Sequence, residues 1–156
     1  MYQLQAQNFG LYVAILFGGF TLIFAALGPG IFNSQPNPFS WQYLFFEVLC
    51  HQDSLRSFHI NNQPMAVCAR CFGIYTAFLF GWLFLPVFGW LGSASQQKKK
   101  IFLIAAILLN STDVIGNYFS IWSNTLHSRF LLGSLVGLAV TFFLAESFFN
   151  KIKSEY

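Results

Sequence analysis

Long apolar segments separated by short polar ones make up most of this chain. No charged residue occurs from Met1 to Phe46, and a second uncharged run extends from Cys71 to Gln97. A helix of about 20 apolar residues crosses the hydrocarbon core of a bilayer. The pattern predicts an all-α fold, a polytopic membrane helix bundle in a single domain over residues 1–156. About four transmembrane helices are predicted, over residues 9–32, 70–91, 101–122 and 129–149.

The polar segment over residues 33–67 is the longest connection between the predicted spans. Two prolines near its start end the first span, because proline does not continue a helix. Residues 41–52 are rich in aromatic side chains but too few to cross a bilayer, so we predict a short interfacial helix with Ser40 at its N-cap. Residues 53–67 are predicted to be loop.

Composition excludes a soluble catalytic domain. Of the 156 residues, 56% are hydrophobic and 8% are charged, whereas a typical soluble domain is about 25% charged. The net charge is +3, and the basic residues form no stripe of the kind that binds nucleic acid. The lipid bilayer is therefore the predicted environment, and nucleic acid is not a predicted partner.

Lysine and arginine residues beside the spans set the expected orientation. One side of the membrane collects five lysines and the other three arginines: Lys98, Lys99, Lys100, Lys151 and Lys153 against Arg56, Arg70 and Arg129. Cytoplasmic loops carry the excess of positive residues. We expect a multi-pass protein of the inner (plasma) membrane with both termini in the cytoplasm and the segment 33–67 on the outer side.

All three cysteines lie at the outer end of the predicted bundle. Cys50 is followed directly by His51, and Cys68 and Cys71 form a Cys-x-x-Cys motif at the start of the second span. Three thiolates and one imidazole make a tetrahedral ligand set for zinc or another transition metal. We therefore predict a metal site at Cys50, His51, Cys68 and Cys71. His51 is its weakest member, because adjacent residues reach one ion only with steric difficulty.

Two further residues are candidate ligands or supports for the ligands. Glu47 precedes Cys50 by three positions and His51 by four, so on a helix it shares their face. It is predicted as a substitute ligand or as a hydrogen-bonding partner of one. His59, from the predicted loop, is an alternative ligand.

Thiol–disulfide chemistry is the leading alternative function. A Cys-x-x-Cys motif at a helix N-terminus has a lowered thiol pKa, and Arg70 between the two sulfurs would add to that effect. The arrangement resembles quinone-linked disulfide-forming membrane enzymes, but those need two cysteine pairs and this chain has three cysteines. A structural disulfide with one thiol left over is a second alternative.

A third alternative is an accessory subunit, packed against another membrane protein or a second copy of itself. The motifs do not decide whether the chain is an enzyme.

A row of polar side chains follows one face of the third predicted span. Its members recur at steps of three and four residues: Asn110, Asp113, Asn117, Ser120 and Asn124. Asp113 lies 13 residues after Lys100, roughly 20 Å along the helix. A carboxyl group at that depth normally faces the bundle interior and has a function. We predict Asn117 as its neighbour and Arg129 as the candidate ion-pair partner, although direct contact with Arg129 is the less expected arrangement.

The fourth predicted span carries a Gly-x-x-x-Gly pair, Gly133 and Gly137. Small residues at this spacing let two helix backbones approach closely. We interpret the pair as a packing surface within the chain, with homodimerisation as the second interpretation.

The chain resembles a known family through several short motifs. Cys50-His51-Gln52, then Cys68-Ala69-Arg70-Cys71, and further on Asp113, Asn124, Arg129 and Gly133, are similar to the pattern of the domain of unknown function 2085 family. The resemblance covers roughly residues 47–137, with departures at Ala66 and Phe72. It implies a small polytopic membrane protein of prokaryotic type, and it implies no activity.

Overall fold

Five α-helices account for most of the described part of the chain. The structure is a computed structural model, and it describes residues 2–4, 9–32, 40–85 and 96–151. The helices are α1 Phe9–Ala26, α2 Trp41–Phe46, α3 Ala69–Leu83, α4 Gln96–Tyr118 and α5 Leu126–Phe148. Two short 3₁₀ turns cover Pro29–Phe32 and Ser54–Arg56.

Three of these helices are long and apolar enough to cross a membrane, over Phe9–Ala26, Gln96–Tyr118 and Leu126–Ala145. The 15-residue helix α3 is apolar but shorter. The predicted second span continued to residue 91, and its last part, 86–91, lies outside the described residues, as do residues 33–39 of the predicted outward loop. The predicted fold class, a polytopic membrane helix bundle with a short additional helix, is confirmed.

Helices α1, α3, α4 and α5 run alternately up and down. Helices α3 and α5 are parallel, because Gly73 packs on Phe130 near the start of both helices and Trp82 contacts Phe148 near the end of both. Helices α1 and α4 run in the opposite direction, as the pairing of Tyr12 with Trp82 shows for α1. The end of the bundle at which α3 and α5 start is called the cysteine end here. The opposite end is called the terminal end.

Strands from both ends of the chain meet at the terminal end. Strand β1 (Tyr2–Leu4) pairs in antiparallel register with β4 (Phe149–Lys151). Helix α4 also begins at this end, since Phe102 contacts Phe142 near the end of α5. The amino-terminal strand, the carboxy-terminal strand and the start of α4, with its three lysines, therefore lie at the same end of the bundle.

Glycine allows the closest helix contact in the bundle. A methyl group added to Gly133 would lie 2.1 Å from the Arg70 carbonyl oxygen, and one added to Gly137 would lie 2.3 Å from that of Ile74. Both glycines of α5 thus face α3. The prediction that this pair packs helices within the chain is confirmed, and the same surface is not open to a second copy.

At the terminal end, the fully buried Trp82 anchors α1 to α3. Its indole nitrogen donates to the Tyr12 carbonyl oxygen (3.1 Å), and the Tyr12 hydroxyl donates to the Trp82 carbonyl oxygen (3.3 Å). Leu85 and Phe148 complete this cluster. Polar groups inside a bilayer must find partners within the protein, and this reciprocal pair supplies them.

The helices end where the backbone geometry changes. Helix α1 stops at Ala26 rather than near residue 32, because Gly28 has φ +76° and Pro29 has no N–H to continue the helix. Helix α2 stops at Phe46 rather than near residue 52. Ser40 stands at its N-cap position, but its side chain makes no capping hydrogen bond.

The segment over residues 40–67, here called the cap segment, folds over the end of α1. The Ala66 backbone N–H donates to the Ala26 carbonyl (3.1 Å), and the Asn61 side chain donates to the Gly30 carbonyl (2.8 Å). The predicted loop contains a small hairpin, β2 (His59–Ile60) with β3 (Gln63–Pro64). Its turn residues Asn61 and Asn62 have φ of 50° and 62°, the left-handed geometry that a two-residue hairpin turn needs.

Candidate functional site

Three free cysteines converge at the cysteine end of the bundle. The sulfur atoms of Cys50, Cys68 and Cys71 all lie within 4.8 Å of one another. Cys50 is buried, and the other two are partly exposed. The cluster joins the cap segment, which carries Cys50, to the start of α3, which carries the other two cysteines. The predicted grouping of the three cysteines is therefore present in the fold.

Cys50 is placed by the end of α2 and by the core beneath it. Its backbone N–H donates to the Phe46 carbonyl (2.8 Å), which continues the last helical turn. Around it are Ala26, Phe46 and Val67, all fully buried. The Cys50 sulfur accepts a hydrogen bond from the Cys68 backbone N–H (3.2 Å). Hydrogen bonds with the thiols of Cys68 and Cys71, together with this backbone bond, lower the pKa of the Cys50 thiol.

Hydrogen bonds from side chains to backbone carbonyl oxygens hold the cap segment together. Gln52 donates from Nε2 to the carbonyl oxygens of Tyr43 (2.7 Å) and Ala66 (3.1 Å). The Tyr43 hydroxyl donates to the Pro64 carbonyl (2.6 Å). These bonds fix residues 50–52 beside residues 64–66, and so they hold Cys50 next to the start of α3.

Cys68 and Cys71 occupy the start of α3. Cys68 is the N-cap residue, with extended geometry and no side-chain capping bond, and Cys71 follows within the first turn. Both residues therefore lie at the positive end of the α3 helix dipole.

Tyr75, one helical turn after Cys71, is a site residue that is absent from the predicted ligand set. Like Cys68 and Cys71, it packs against the buried cluster that contains Cys50. Its ring stacks on Phe46, at a centroid distance of 6.0 Å. Tyr75 shares a helix face with Cys71, four residues earlier, and that spacing was the available signal.

The other predicted ligands lie apart from the sulfurs. His51, Glu47 and His59 are exposed, and none of them belongs to the group of close ligand atoms that the described residues form. His51 follows Cys50 in an irregular stretch, so its side chain does not share the direction of Cys50. As metal ligands, these three residues stay predictions.

A partly buried ion pair lies next to the cysteine cluster. Arg70, between Cys68 and Cys71, donates from Nη2 to Oδ2 of Asp113, and the side chains are 17% and 13% exposed. The Asn124 side chain donates to the same carboxylate oxygen (2.6 Å). Asp113 therefore faces the bundle interior, but its cationic partner is Arg70 and not Arg129.

Arg129 makes a different contact. Its Nη2 donates to the Asn117 side-chain oxygen (2.9 Å), and Asn117 donates in turn to the Trp122 carbonyl (3.1 Å). Only 9% of Arg129 is exposed. The two polar residues of the α4 face, Asp113 and Asn117, thus bind two different arginines from two different helices.

Comparison with known proteins places the chain in a family. Residues 50–143 match the family model described as "Predicted membrane protein (DUF2085)". The chain is 33% identical over 114 residues to the uncharacterized protein MJ1492 of Methanocaldococcus jannaschii, which covers 73% of this chain and 72% of that protein. No solved structure matches it significantly. The family match begins at Cys50 and includes the cysteine cluster. It also includes the Arg70–Asp113 and Arg129–Asn117 contacts and the two glycines of α5 that face α3. The chain therefore belongs to the DUF2085 family of predicted membrane proteins, as its motifs indicate.

Proposed function

We propose that this membrane protein binds a thiophilic metal ion, in a structural or metal-handling role, through the thiolates of Cys50, Cys68 and Cys71. The observation that carries the proposal is the mutual approach of three sulfur atoms within 4.8 Å. Zinc–thiolate bonds of ~2.3 Å place the sulfurs of a shared ion roughly 4 Å apart. Small side-chain movements would therefore close the three sulfurs on one ion.

The donor set and its surroundings favour a soft cation. Thiolates select zinc or monovalent copper over hard cations such as magnesium. The Cys50 sulfur accepts a backbone N–H hydrogen bond, and Cys68 and Cys71 lie in the first turn of α3, so the three donors belong to two short segments held side by side. A disulfide would use two of the three sulfurs and leave the third without a role.

The number of protein ligands bears on the role of the site. Structural zinc sites are closed by four protein ligands, whereas sites that exchange or activate a ligand keep one position open. The described residues bring three ligands together, which favours an open site and hence a metal-handling role. His51 is exposed beside Cys50, and a rotation of its side chain toward the sulfurs would instead close a structural site.

Elemental analysis of the purified full-length chain in detergent, combined with counting of alkylatable thiols, tests the proposal. We expect about one equivalent of bound metal, and three thiols that become reactive when a chelator removes it. A metal-free protein in which two cysteines form a disulfide would reject the proposal. That result would support the alternative of a membrane thiol–disulfide oxidoreductase, or of a structural disulfide.

We also propose that the cysteine end faces outward and that the termini are cytoplasmic. The arrangement of charges supports this orientation. The three consecutive lysines stand at the start of α4, on the same side as strands β1 and β4, while Arg56, Arg70 and Arg129 lie at the cysteine end. The larger positive count thus lies at the terminal end.

A further inference from the structure

The cap segment carries an apolar stripe on the side that faces away from the rest of the protein. Residues 41–46 form helix α2, and the helical turn continues to Cys50, whose N–H donates to the Phe46 carbonyl. Along this length the outward positions recur at spacings of three and four residues, so they lie on one face. All five are apolar and between 54% and 93% exposed: Trp41, Leu44, Phe45, Val48 and Leu49.

The opposite face of the same segment is turned to the protein. Gln42, Phe46 and Cys50 recur at steps of four residues, and all three are buried. Glu47, the first charged residue of the chain, is exposed and lies between the two faces. A surface helix in contact with water turns its polar side outward. This segment has the reverse arrangement, which suits an apolar medium on its outer side.

The depth of α2 indicates which medium that is. Phe46 is fully buried in a cluster with Ala25 and Ala26 from the last turn of α1, and its ring stacks on Tyr75 in the second turn of α3. Helix α2 therefore lies beside the ends of these helices and not beyond them. Helix α1 has 18 residues, roughly 27 Å, which is no more than the ~30 Å hydrocarbon core of a bilayer. Its last turn, and α2 beside it, thus lie at membrane depth.

A second group of exposed aromatic side chains lies at the same end of the bundle. Helix α4 ends there at Tyr118, and both Tyr118 and Trp122, in the connection that follows, are exposed. Tryptophan and tyrosine are enriched where transmembrane helices meet the membrane surface. With Trp41 on α2, two separate parts of the chain therefore have the composition of a lipid interface at the cysteine end.

We propose that residues 41–49 insert their outward stripe among the lipids at the cysteine end, and that this insertion holds Cys50 against the start of α3. The bilayer's own phospholipid, and not a second copy or another protein, covers the stripe. The chain up to Phe46 carries no charge that lipid would exclude. The inference gives the predicted interfacial helix a structural role at the cysteine cluster, and it does not depend on whether that cluster binds a metal.

Photo-crosslinking identifies what covers the stripe. A photoreactive phenylalanine analogue replaces Phe45 in one variant of the full-length chain and Val48 in another. Phe17, exposed in the middle of α1, is the lipid-facing reference position, and His59, exposed in the hairpin of the cap segment, is the control away from the stripe. Each variant is irradiated in native membranes and in nanodiscs of palmitoyl-oleoyl phosphatidylcholine. Mass spectrometry then separates phospholipid adducts from cross-linked proteins.

We expect phosphatidylcholine adducts at Phe45 and Val48, in yields comparable to that at Phe17, and none at His59. Cross-linked dimers from both stripe positions would assign the stripe to a second copy and overturn the inference. An adduct with another protein in native membranes would assign it to a partner, with the same consequence. Absence of lipid adducts at both stripe positions in the nanodiscs would also overturn it.

A charge placed in the stripe tests whether lipid contact holds Cys50. Val48 is 93% exposed, so Val48→Asp removes almost no contact within the protein. Leu55→Asp, at a position 88% exposed but beside the charged Asp53–Arg56 pair, is the matched control. In nanodiscs, after reduction and chelation, the alkylation rate of Cys50 should rise several-fold in Val48→Asp and stay at the parent value in Leu55→Asp, because lipid excludes a carboxylate. Equal rates in the two variants would show that the bilayer does not hold Cys50 in place.

Discussion

Arg70, the residue between Cys68 and Cys71, donates a hydrogen bond to the Asp113 carboxylate on α4. This pair connects the Cys-x-x-Cys turn to a helix that otherwise packs mainly against α5. Asn124, which lies in the connection between α4 and α5, donates a hydrogen bond to the same carboxylate oxygen. The geometry of the cysteine cluster thus depends on a polar contact near the end of α4 as well as on the cap segment.

Asp113→Asn should destabilise the protein, because it leaves the partly buried Arg70 guanidinium without a counter-charge. Breaking a buried pair by removing one partner costs about 3 kcal/mol or more. Denaturant-induced unfolding in micelles measures the change. Asp53→Asn breaks the exposed Arg56 pair and is the control, with an expected change under about 1 kcal/mol. Equal effects of the two substitutions would show that the Asp113 pair does not stabilise the fold.

Gly133→Ala should destabilise the α3–α5 contact, because the added methyl group would lie 2.1 Å from the Arg70 carbonyl oxygen. Overpacking of this kind costs about 1–3 kcal/mol. Gly18→Ala on α1 is the matched control, since a methyl group there meets no atom within 4 Å. It should be neutral or slightly stabilising, because alanine favours helix more than glycine does. A Gly133→Ala protein as stable as the parent in micelle unfolding would refute the packing.

The transmembrane pattern and the cysteine grouping could be predicted from the sequence, and each for a physical reason. Hydropathy predicts spans because every backbone polar group in lipid must be satisfied within a helix. Cys68 and Cys71 share one turn of a helix start, so their proximity follows from local geometry. Cys50 joins them through the fold of the cap segment. The sequence predicts this segment only as a long connection between two spans, without its path.

Other features depend on tertiary packing and could not be predicted. Arg70 contacts Asp113 only because α4 runs antiparallel to α3 with one particular displacement along the helix axes. The sequence does not specify that displacement. The exposure of His51 results from the irregular backbone after α2, where Gln52 has φ +48°. The hairpin could have been predicted, because asparagine adopts the left-handed geometry that both residues of a two-residue turn need.

Substitution of each cysteine tests whether the three act as one unit. If they share an ion, Cys50→Ser should lose about as much bound metal as Cys68→Ser or Cys71→Ser, because ligands of one site are not independent. His51→Ala, measured in the same series, reports whether an imidazole completes the site. Metal content of the purified variants is the readout. Retention of metal by Cys50→Ser alone would exclude a shared site that includes the cap segment.

Labelling of intact cells with a membrane-impermeant thiol reagent tests the orientation. After metal removal without denaturation, we expect Cys68 and Cys71, which are partly exposed, to react from outside. A cysteine introduced at Ser154, in the tail, should react only after the membrane is opened. The reverse pattern would place the cysteine end in the cytoplasm, where a disulfide is disfavoured and a metal-bound cluster is favoured.

X-ray absorption spectroscopy of the zinc-loaded protein tests the central claim most directly, because it counts the atoms around the metal. Our account predicts three sulfur scatterers at ~2.3 Å and one lighter donor at about 2.0–2.1 Å from water or an imidazole. Loss of one sulfur from that shell in Cys50→Ser would assign the third thiolate. A zinc shell of nitrogen and oxygen alone, or with a single sulfur, would contradict a site built from Cys50, Cys68 and Cys71.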